Sequence, residues 1–503
     1  MLPEHRADQP RRLAAALRSF LALAVGNYGA MAVGLSVNVL LARRLGTAQY
    51  GRLALMLMAS QVLMLTTVNW SHVGFVQFGS REFAAKGAVT ETLWTRMAIA
   101  LPAAGLGVLA IIVFRERLAA YVGVPPAGAW LILLHFTAVC ALSVAGAVLQ
   151  ARNEMARYGV CLFLDKALML ACVALIPAVW IANPLIVLGC YAFSSLSVAA
   201  WGFSAAGLRA LGPMLPPRAA YREMALFSAP LLLSSWAGLF GTNWFDLVIL
   251  KRYVPMSDIG VYSLATQLAG VVQQITVIFS TLLLPHLSVM VAEGQDARIK
   301  MLVERLLPYW MLGTSVLFSV ILLGARICLP AVFGASFSAA APVLALLLVG
   351  TSALALFNAC SPLVTAYGST WFLTAVCLLS AVSNVLLDLL LIPRFGIMGS
   401  ALATGLAYAI GAACVLGFVK WRVGGRVLRL GWLGAPVLVA CVCFMLLDGP
   451  WFYAAAPSGA ALCVLALAGS FRLFHRDDVV FLKDLHLHLP IRFGLGVAAR
   501  TRP

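Results

Sequence analysis

The residues of this sequence that could do chemistry are polar side chains set inside long apolar runs. Asp246 follows Asn243 by three residues, so both side chains would share one face of a helix. Asn27 and Asn38 lie about three helical turns apart and so share roughly one face of an earlier helix. Polar groups at membrane depth are unfavourable unless they face a cavity or a partner. We therefore predict that these residues line one cavity.

Asp246 has two interpretations at this point. It could line the cavity, or it could pair with Lys251 or Arg252 and anchor the end of its helix, about 7 Å away along the axis. Asn38 and Asn243 could likewise form only hydrogen bonds between helices. Asn384 and Asp388, one turn apart on a later helix, form another polar face that we interpret as structural.

Arg81, Arg152, Lys166 and Arg298 lie near the predicted inner surface. The plain interpretation is topological, since positive residues collect in cytoplasmic loops. The functional interpretation is that one or two of them hold a phosphate, for which arginine is geometrically suited.

Signatures of covalent chemistry are missing from the sequence. It contains no P-loop, no zinc-protease motif, no nucleophile elbow and no paired CxxC cysteines. The lone acidic doublet, Asp477 and Asp478, sits in the C-terminal tail. We therefore predict a protein that is not an enzyme, with no catalytic residue, no metal ligand and no cofactor.

Composition defines the elements that must position these residues. Of the 503 residues 62% are hydrophobic and only 11% are charged, and the mean hydropathy is +0.97. Soluble domains carry about a quarter charged residues. Apolar runs of about 20 residues recur, which is the length a helix needs to cross a bilayer. The sequence thus predicts an all-α polytopic membrane protein, and we attribute the net charge of +17 to topology rather than to nucleic-acid binding.

The predicted architecture has about fourteen transmembrane helices, of which the first two are expected at 19–42 and 53–75, the seventh at 226–249, and the eleventh and twelfth at 371–392 and 397–419. Lys and Arg then divide about three to one in favour of the side that holds both termini, which we take as cytoplasmic. The predicted segments are a cytoplasmic N-terminal segment, a first six-helix bundle, a cytoplasmic linker, a second six-helix bundle, two additional helices and a basic cytoplasmic tail, at 1–18, 19–206, 207–225, 226–419, 420–470 and 471–503.

An internal repeat relates the two predicted bundles. The stretch "NVLLARRLGTAQYG" from Asn38 to Gly51 matches "DLVILKRYVPMSDIG" from Asp246 to Gly260. In both copies a span ends at a dibasic pair. The chain then turns and re-enters the membrane at a glycine. The copies begin an even number of crossings apart, which indicates parallel repeats about an axis along the membrane normal.

The phrases "GSREFAAKG", "DLVILKRYVPMSDIGVYSLATQL" and "LIPRFGIMGSALATGLAYAI" resemble polysaccharide transporters of the MOP superfamily. These are Wzx-type lipid-linked oligosaccharide flippases, related to the MATE exporters and the lipid II flippase. The resemblance implies two bundles around a central cavity that opens alternately to either side, with coupling to a proton or sodium gradient. Related sequences often carry an acid at the position of Asp246.

The resemblance also implies a substrate and a location. The substrate would be an oligosaccharide repeat unit on undecaprenyl pyrophosphate, moved across the bacterial inner membrane for exopolysaccharide, capsule or O-antigen (lipopolysaccharide) synthesis. Apart from Arg18, span one lacks the cavity arginines of the lipid II flippase, which favours a polysaccharide unit. Expected partners are membrane lipids and a polysaccharide polymerase and export machinery. The alternative is a cation-coupled exporter of drugs or other small molecules, of the MATE type.

The predicted topology can be tested with reporter fusions. Alkaline phosphatase fused after Arg252 should be active, because that loop is expected outside, and the same enzyme fused after Arg298 should be inactive. Activity measured on whole cells checks both positions. Equal activity of the two fusions would contradict the assignment of sides.

Overall fold

All secondary structure in the described part of the chain is helical. The computed structural model describes residues 4–207, 217–240, 243–424, 427–447 and 449–470. Within them, eleven helices are long and apolar enough to cross a membrane. The prediction of an all-α polytopic membrane protein is confirmed. The predicted tail at 471–503 and most of the first half of the linker lie outside the described residues.

Seventeen α-helices follow one another along the described chain. The first eight are α1 (Glu4–Thr67), α2 (His72–Lys86), α3 (Thr90–Val113), α4 (Arg115–Val122), α5 (Gly128–Ala151), α6 (Met155–Leu175), α7 (Ala178–Ile181) and α8 (Pro184–Ala205). The others are α9 (Arg218–Phe240), α10 (Asn243–Tyr253), α11 (Met256–Ala292), α12 (Asp296–Met301), α13 (Leu307–Phe333), α14 (Ala340–Ala366), α15 (Thr370–Val423), α16 (Ala435–Leu446) and α17 (Pro450–Ser470). Short 3₁₀ turns at Asn69–Ser71, Ala335–Phe337 and Val427–Gly434 and a π turn at Leu302–Leu306 complete the list.

Helix α1 is a hairpin of two arms rather than one rod. Gly46 has φ 68° and ψ 174°, a conformation that only glycine adopts without strain. The Tyr50 hydroxyl donates to Asn38 Oδ1 at 3.2 Å. In a straight helix twelve residues would span about 18 Å, so the chain must fold back between them. The arms correspond to the predicted spans 19–42 and 53–75.

Helix α15 has the same construction. Gly396 interrupts it with φ 55° and ψ −133°. A Cβ on Gly399 would meet the carbonyl of Leu391, a contact that a straight helix does not permit. The arms before and after Gly396 correspond to the predicted spans at 371–392 and 397–419. The predicted seventh span, 226–249, falls on α9 and α10, which are not among the eleven long helices. Because α1 and α15 each supply two spans, the eleven helices together with this segment account for about fourteen spans.

The two glycines matched by the sequence repeat lie against each other. A Cβ built on Gly51 would be 2.9 Å from the Gly260 nitrogen, and one built on Gly260 would be 3.0 Å from the Gly51 nitrogen. Each position also faces the other segment's backbone carbonyls, of Met256 and Thr47. A reciprocal contact between matched residues is what a two-fold relation produces. It supports the repeat deduced from the sequence.

The dibasic pair that ends the first arm of α1 caps two other helices. The Arg43 guanidinium donates to the carbonyl of Ala331 at 2.6 Å and to that of Val332 at 2.7 Å, at the C-terminal end of α13. Arg44 donates to the carbonyls of Val173 and Ile176 at the end of α6. Cations stabilise helix C-termini because carbonyls there lack intrahelical donors. These arginines therefore tie the adjacent ends of three helices together.

Contacts along the chain divide it into two compact units. The first comprises Met1–Ile275, Gly324–Thr351 and Thr370–Gly411, and the second Thr276–Leu323, Ser352–Ser369 and Ala412–Pro503. A buried apolar cluster of the first unit joins α2, α5 and the start of α9. In the second unit the rings of Phe279 and Trp310 stack with centroids 4.0 Å apart. The bundle boundaries at 206, 226 and 419 stay predictions.

The glycine contact predicts a strong effect of one added methyl group. Gly260→Ala should destabilise the protein by about 1–3 kcal/mol, because the backbones of the two repeat copies must separate. Thermal unfolding in detergent measures it. The control is Gly270→Ala on the same helix, where nothing lies within 4 Å of the added Cβ. That change should be neutral or stabilising. Equal melting temperatures for the two variants would contradict the tight contact.

Candidate functional site

Asp246 is fully buried and lies at the centre of a polar cluster. It projects from the first turn of α10, and its Oδ2 accepts a 2.6 Å hydrogen bond from the hydroxyl of Tyr262 on α11. The Tyr262 oxygen accepts in turn from Ser400 Oγ at 3.0 Å. Thr404 Oγ1 donates to the same Asp246 oxygen at 3.3 Å. The alternative in which Asp246 pairs with Lys251 or Arg252 is therefore wrong: its oxygens bind neutral groups deeper in the fold.

Asn384 and Asp388 join Asp246 from the first arm of α15. The Asn384 amide nitrogen donates to Asp246 Oδ1 at 3.0 Å and contacts Asp388 Oδ2 at 3.4 Å. The Asn384 amide nitrogen thus bridges the two carboxyl groups, which lie side by side. Both carboxyls and the amide are buried. The pair that the sequence presented as a separate polar face thus belongs to the site of Asp246.

The hairpin at Gly396 explains how one helix supplies four members of the cluster. Asn384 and Asp388 are one turn apart on the first arm, and Ser400 and Thr404 are one turn apart on the second. Residues four apart share a helix face, so the fold at Gly396 brings two polar faces opposite each other. Asp246 and Tyr262 fill the space between them from α10 and α11.

The cluster has more acceptors than donors. No cation pairs with Asp246 or Asp388 in the described part of the chain, and Asn384 Oδ1 and Asp388 Oδ1 lack hydrogen-bond partners there. Two neighbouring carboxylates cannot both stay ionised in a buried site without a compensating charge. The site therefore requires an added proton or a bound cation. The two atoms without partners, Asn384 Oδ1 and Asp388 Oδ1, are both oxygens, which suit a proton or a hard cation.

The first half of the chain contains a related cluster with balanced charge. Asp165 on α6 is buried and pairs with Lys166 at 2.8 Å. Ser194 and Ser195 on α8 donate to Asp165 Oδ1 at 3.1 and 2.9 Å. The Lys166 ammonium also lies 6.0 Å from the centroid of the Tyr191 ring. Here the acid has a cation beside it, so no further charge is required.

The other predicted site residues whose side chains the structure describes have partners or positions of their own, and none of them is bonded to the Asp246 cluster. Asn38 bonds Tyr50, and Asn27 is exposed. The side chain of Asn243, in the first turn of α10, lies outside the described residues. Arg152 pairs with Glu154 at 2.9 Å and donates to the carbonyl of Ala206 at the end of α8. Lys166 is held by Asp165, as described above.

Arg81 lines a pocket of about 280 Å³ between α2, α3 and α9. Its guanidinium lies 5.8 Å from the Phe78 ring centroid. Lys86 lines the same pocket and pairs with Glu91 at 2.6 Å, a hydrogen bond that raises the pKa of the ammonium. Arg81 is thus a predicted cationic site residue whose exposed side chain lies beside a cavity.

Three members of the Asp246 cluster were not predicted from the sequence. Tyr262, Ser400 and Thr404 are ordinary helical residues, and Thr404 is 158 positions from Asp246. The available signal is their helical spacing. Ser400 and Thr404 are four residues apart, as are Asn384 and Asp388, and Gly396 lies between the two pairs. Comparing these two pairs would have placed all four residues on facing helices.

Two solved structures of membrane transporters have a helical arrangement similar to this one. The structure of the lipid II flippase MurJ in its inward closed conformation aligns with a TM-score of 0.68, at 12% identity, over 93% of this chain and 100% of that chain. The MATE multidrug transporter DinF-BH aligns with a TM-score of 0.56, at 14% identity, over 81% of this chain and 95% of that chain. The fold is thus the one shared by these transporters, and the chain is a multi-pass membrane protein.

The family follows from the sequence profile described as polysaccharide biosynthesis protein, which matches residues 16–291. The chain belongs to this family, within the MOP superfamily, and the resemblance seen in the sequence is confirmed. A profile described as lipid II flippase MurJ matches residues 252–456. The probable low-salt glycan biosynthesis flippase Agl15 of Haloferax volcanii is 24% identical over 191 residues, which are 38% of this chain and 40% of that protein. The chain thus aligns with less than half of this relative.

The Tyr262 hydroxyl should stabilise the cluster. Tyr262→Phe removes the 2.6 Å hydrogen bond and leaves a buried carboxylate oxygen with fewer donors, so we expect a loss of about 1–3 kcal/mol. Thermal unfolding of the purified protein checks this. Tyr253→Phe, at an exposed tyrosine of α10, is the control and should not change the melting temperature. A Tyr262→Phe variant as stable as the wild type would show that the bond contributes nothing.

Proposed function

We propose that the protein is a flippase for an oligosaccharide repeat unit linked to undecaprenyl pyrophosphate, in a bacterial inner membrane with both termini in the cytoplasm. The observation that carries the proposal is membership of the polysaccharide biosynthesis family over more than half of the chain. A relative described as a probable glycan biosynthesis flippase supports it. Such a task needs a polar path for the glycan and a membrane-embedded body, and it requires no covalent step.

Alternating access requires contacts that can open on one side. On the predicted outer side, Gly51 and Gly260 touch, and the rings of Tyr50 and Phe337 lie edge to face with centroids 5.6 Å apart. Arg43, which lies three residues before the turn at Gly46, donates to the carbonyl of Val332 at the end of α13. These contacts join the first predicted bundle to the second. They support a conformation closed on that side, which the transport cycle would open.

Coupling is assigned to the cluster around Asp246 and Asp388. A proton or monovalent cation bound there would relieve the excess of negative charge described above. Loss of that ion would leave two carboxylates in contact, and their repulsion would favour a rearrangement of α10, α11 and the two arms of α15. Asp246, Asp388, Asn384 and Thr404 are the residues that would hold the ion. The charge-balanced cluster at Asp165 is assigned a structural role.

The second candidate function is export of small molecules driven by a cation. The fold shared with the MATE transporter DinF-BH is the observation that favours it. The two functions differ in substrate and agree on the ion site. Partner proteins are proposed only for the flippase: a polysaccharide polymerase and export machinery that would take the translocated unit.

Deletion of the gene tests the function directly. A flippase mutant should accumulate complete lipid-linked repeat units in the inner leaflet and lose surface polysaccharide. Extraction and analysis of the lipid-linked pool measures this. Normal surface polysaccharide together with new drug sensitivity would overturn the flippase and favour the exporter.

Complementation tests the ion site. Asp246→Asn keeps the size of the side chain and one acceptor oxygen but cannot carry the charge, so the variant should insert normally while polysaccharide output falls at least about tenfold. Asp388→Asn should behave alike. Asp258→Asn is the control, because this acid lies in the first turn of α11, where its Oδ1 accepts from Ser257 Oγ at 3.3 Å, outside the Asp246 cluster. Wild-type output from Asp246→Asn, at equal membrane levels, would show that the carboxylate is structural.

A further inference from the structure

Arg96 on α3 is a fully buried cation that the proposed ion site does not use. Its Nε donates to Ser71 Oγ at 3.3 Å, and the guanidinium lies 5.2 Å from the ring centroid of Phe75. Nη1 and Nη2 have no hydrogen-bond partner, and no acid pairs with the group among the residues the structure describes. Two strong donors are thus buried with nothing to accept from them.

Further unpaired polar atoms lie on the elements around it. His72 Nδ1 is buried without a partner, while its Nε2 lies 3.4 Å from the amide nitrogen of Gln150. If Nε2 accepts from that amide, Nδ1 carries the hydrogen and is also a free donor. Ser228 on α9 has a buried, unpartnered hydroxyl packed against Gly74. This end of the first unit therefore contains several buried hydrogen-bond donors that have no acceptor among the described residues.

Arg96 lies directly below the pocket that contains Arg81. The pocket is lined from α2, α3 and α9 by Phe78, Thr92 and Met224. Going deeper from each by about one helical turn gives Phe75, Arg96 and Ser228. Residues three or four apart share a helix face, so these three form the layer under the pocket floor. The Phe75 ring over the guanidinium is part of what closes that layer.

The acids of the pocket do not neutralise Arg96. Glu82 accepts from the backbone nitrogens of Glu91 and Thr92 at 3.0 and 2.8 Å, so it caps the start of α3. Glu91 pairs with Lys86, and Glu223 is exposed at the surface of the pocket. Taking an unpaired cation out of water is costly by several kcal/mol. The free guanidinium therefore needs an anionic partner from outside the described residues.

We propose that Arg96 binds phosphate oxygens of a ligand that enters through this pocket, with Arg81 at the mouth and the His72 and Ser228 side chains beside it. Arginine suits this role because its planar guanidinium donates two parallel hydrogen bonds to phosphate. Binding requires the Phe75 ring to move aside. The site lies within the first unit. It shares no residue with the Asp246 cluster, and its charge is positive where that of the cluster is negative.

The nature of the phosphate group rests on the proposed function. If the protein moves a lipid-linked oligosaccharide, the ligand is the diphosphate of that lipid, taken up on the side where α2 joins α3. A free phosphate compound would offer the same oxygens. The two sources are distinguished by comparing a prenylated diphosphate with the inorganic ion.

The test uses the full-length protein in nanodiscs and follows its melting temperature. Farnesyl diphosphate, inorganic pyrophosphate and, at matched ionic strength, sulfate are titrated separately. We expect the diphosphates to stabilise the wild type, and Arg96→Met to weaken their apparent affinity at least about tenfold. Arg117→Met is the matched control, since Arg117 also lies over a phenylalanine ring, at 5.9 Å, but is exposed. It should bind like the wild type.

Each outcome decides the proposal. Stronger Arg96-dependent protection by farnesyl diphosphate supports the lipid-linked source, and equal protection by pyrophosphate supports a free anion. No protection of the wild type, or equal protection by sulfate, overturns the site. Arg96→Met should fold as well as the wild type, because it replaces an unpaired charge by an apolar chain. If it fails to fold, Arg96→Lys, which keeps the charge without the fork, must show weakened binding or the proposal is refuted.

These results are separable from the proposed function. A deletion strain without accumulated lipid-linked units would refute the flippase, while Arg96-dependent binding of pyrophosphate would remain measurable. Conversely, a confirmed flippase whose Arg96→Met variant binds both diphosphates like the wild type would refute the Arg96 site alone.

Discussion

Two carboxyl groups buried side by side without a cation are the constraint on which the rest of this structure depends. Asp246 and Asp388 meet at a point that four helical segments must reach: α10, α11 and both arms of α15. Neutral donors from Tyr262, Asn384 and Thr404 satisfy part of the acceptor capacity and leave two oxygens open. A site of this kind is stable only with an added proton or cation, so its occupancy and the packing of these helices are linked.

Glycines at turns and contacts make that convergence possible. Gly396 lets α15 fold back so that two polar faces of one sequence segment oppose each other, and Gly46 lets α1 fold back into two arms. Gly51 and Gly260 let the repeat copies approach at backbone distance. The repeat is therefore visible in the shape of the backbone, whereas the charges have diverged. Lys166 neutralises the buried acid of the first half, whereas no cation pairs with Asp246 or Asp388 among the described residues.

The described chain thus contains two buried charges of opposite sign that its own side chains do not compensate. The acidic pair lies among α10, α11 and α15, and Arg96 lies under a pocket between α2, α3 and α9. Unpaired buried charge is unfavourable, so its presence is best explained by ligands that complete it. A cation or proton at one site and phosphate oxygens at the other are the complements we propose. This division suits a transporter that couples an ion to an anionic lipid-linked substrate.

The sequence by itself determined the membrane class, because composition and the length of apolar runs decide whether helices can lie in a bilayer. It also determined the repeat and identified Asp246 as an acid in an apolar segment. It could not assign partners: Asn384 lies 138 positions from Asp246, and its spacing to Asp388 shows only that they share a helix face. Likewise Arg96 near a predicted loop was indistinguishable from the basic residues that set topology. Only the tertiary structure decided these questions, because hydrogen bonding and burial depend on which helix faces meet, and the turns at Gly46 and Gly396 determine that.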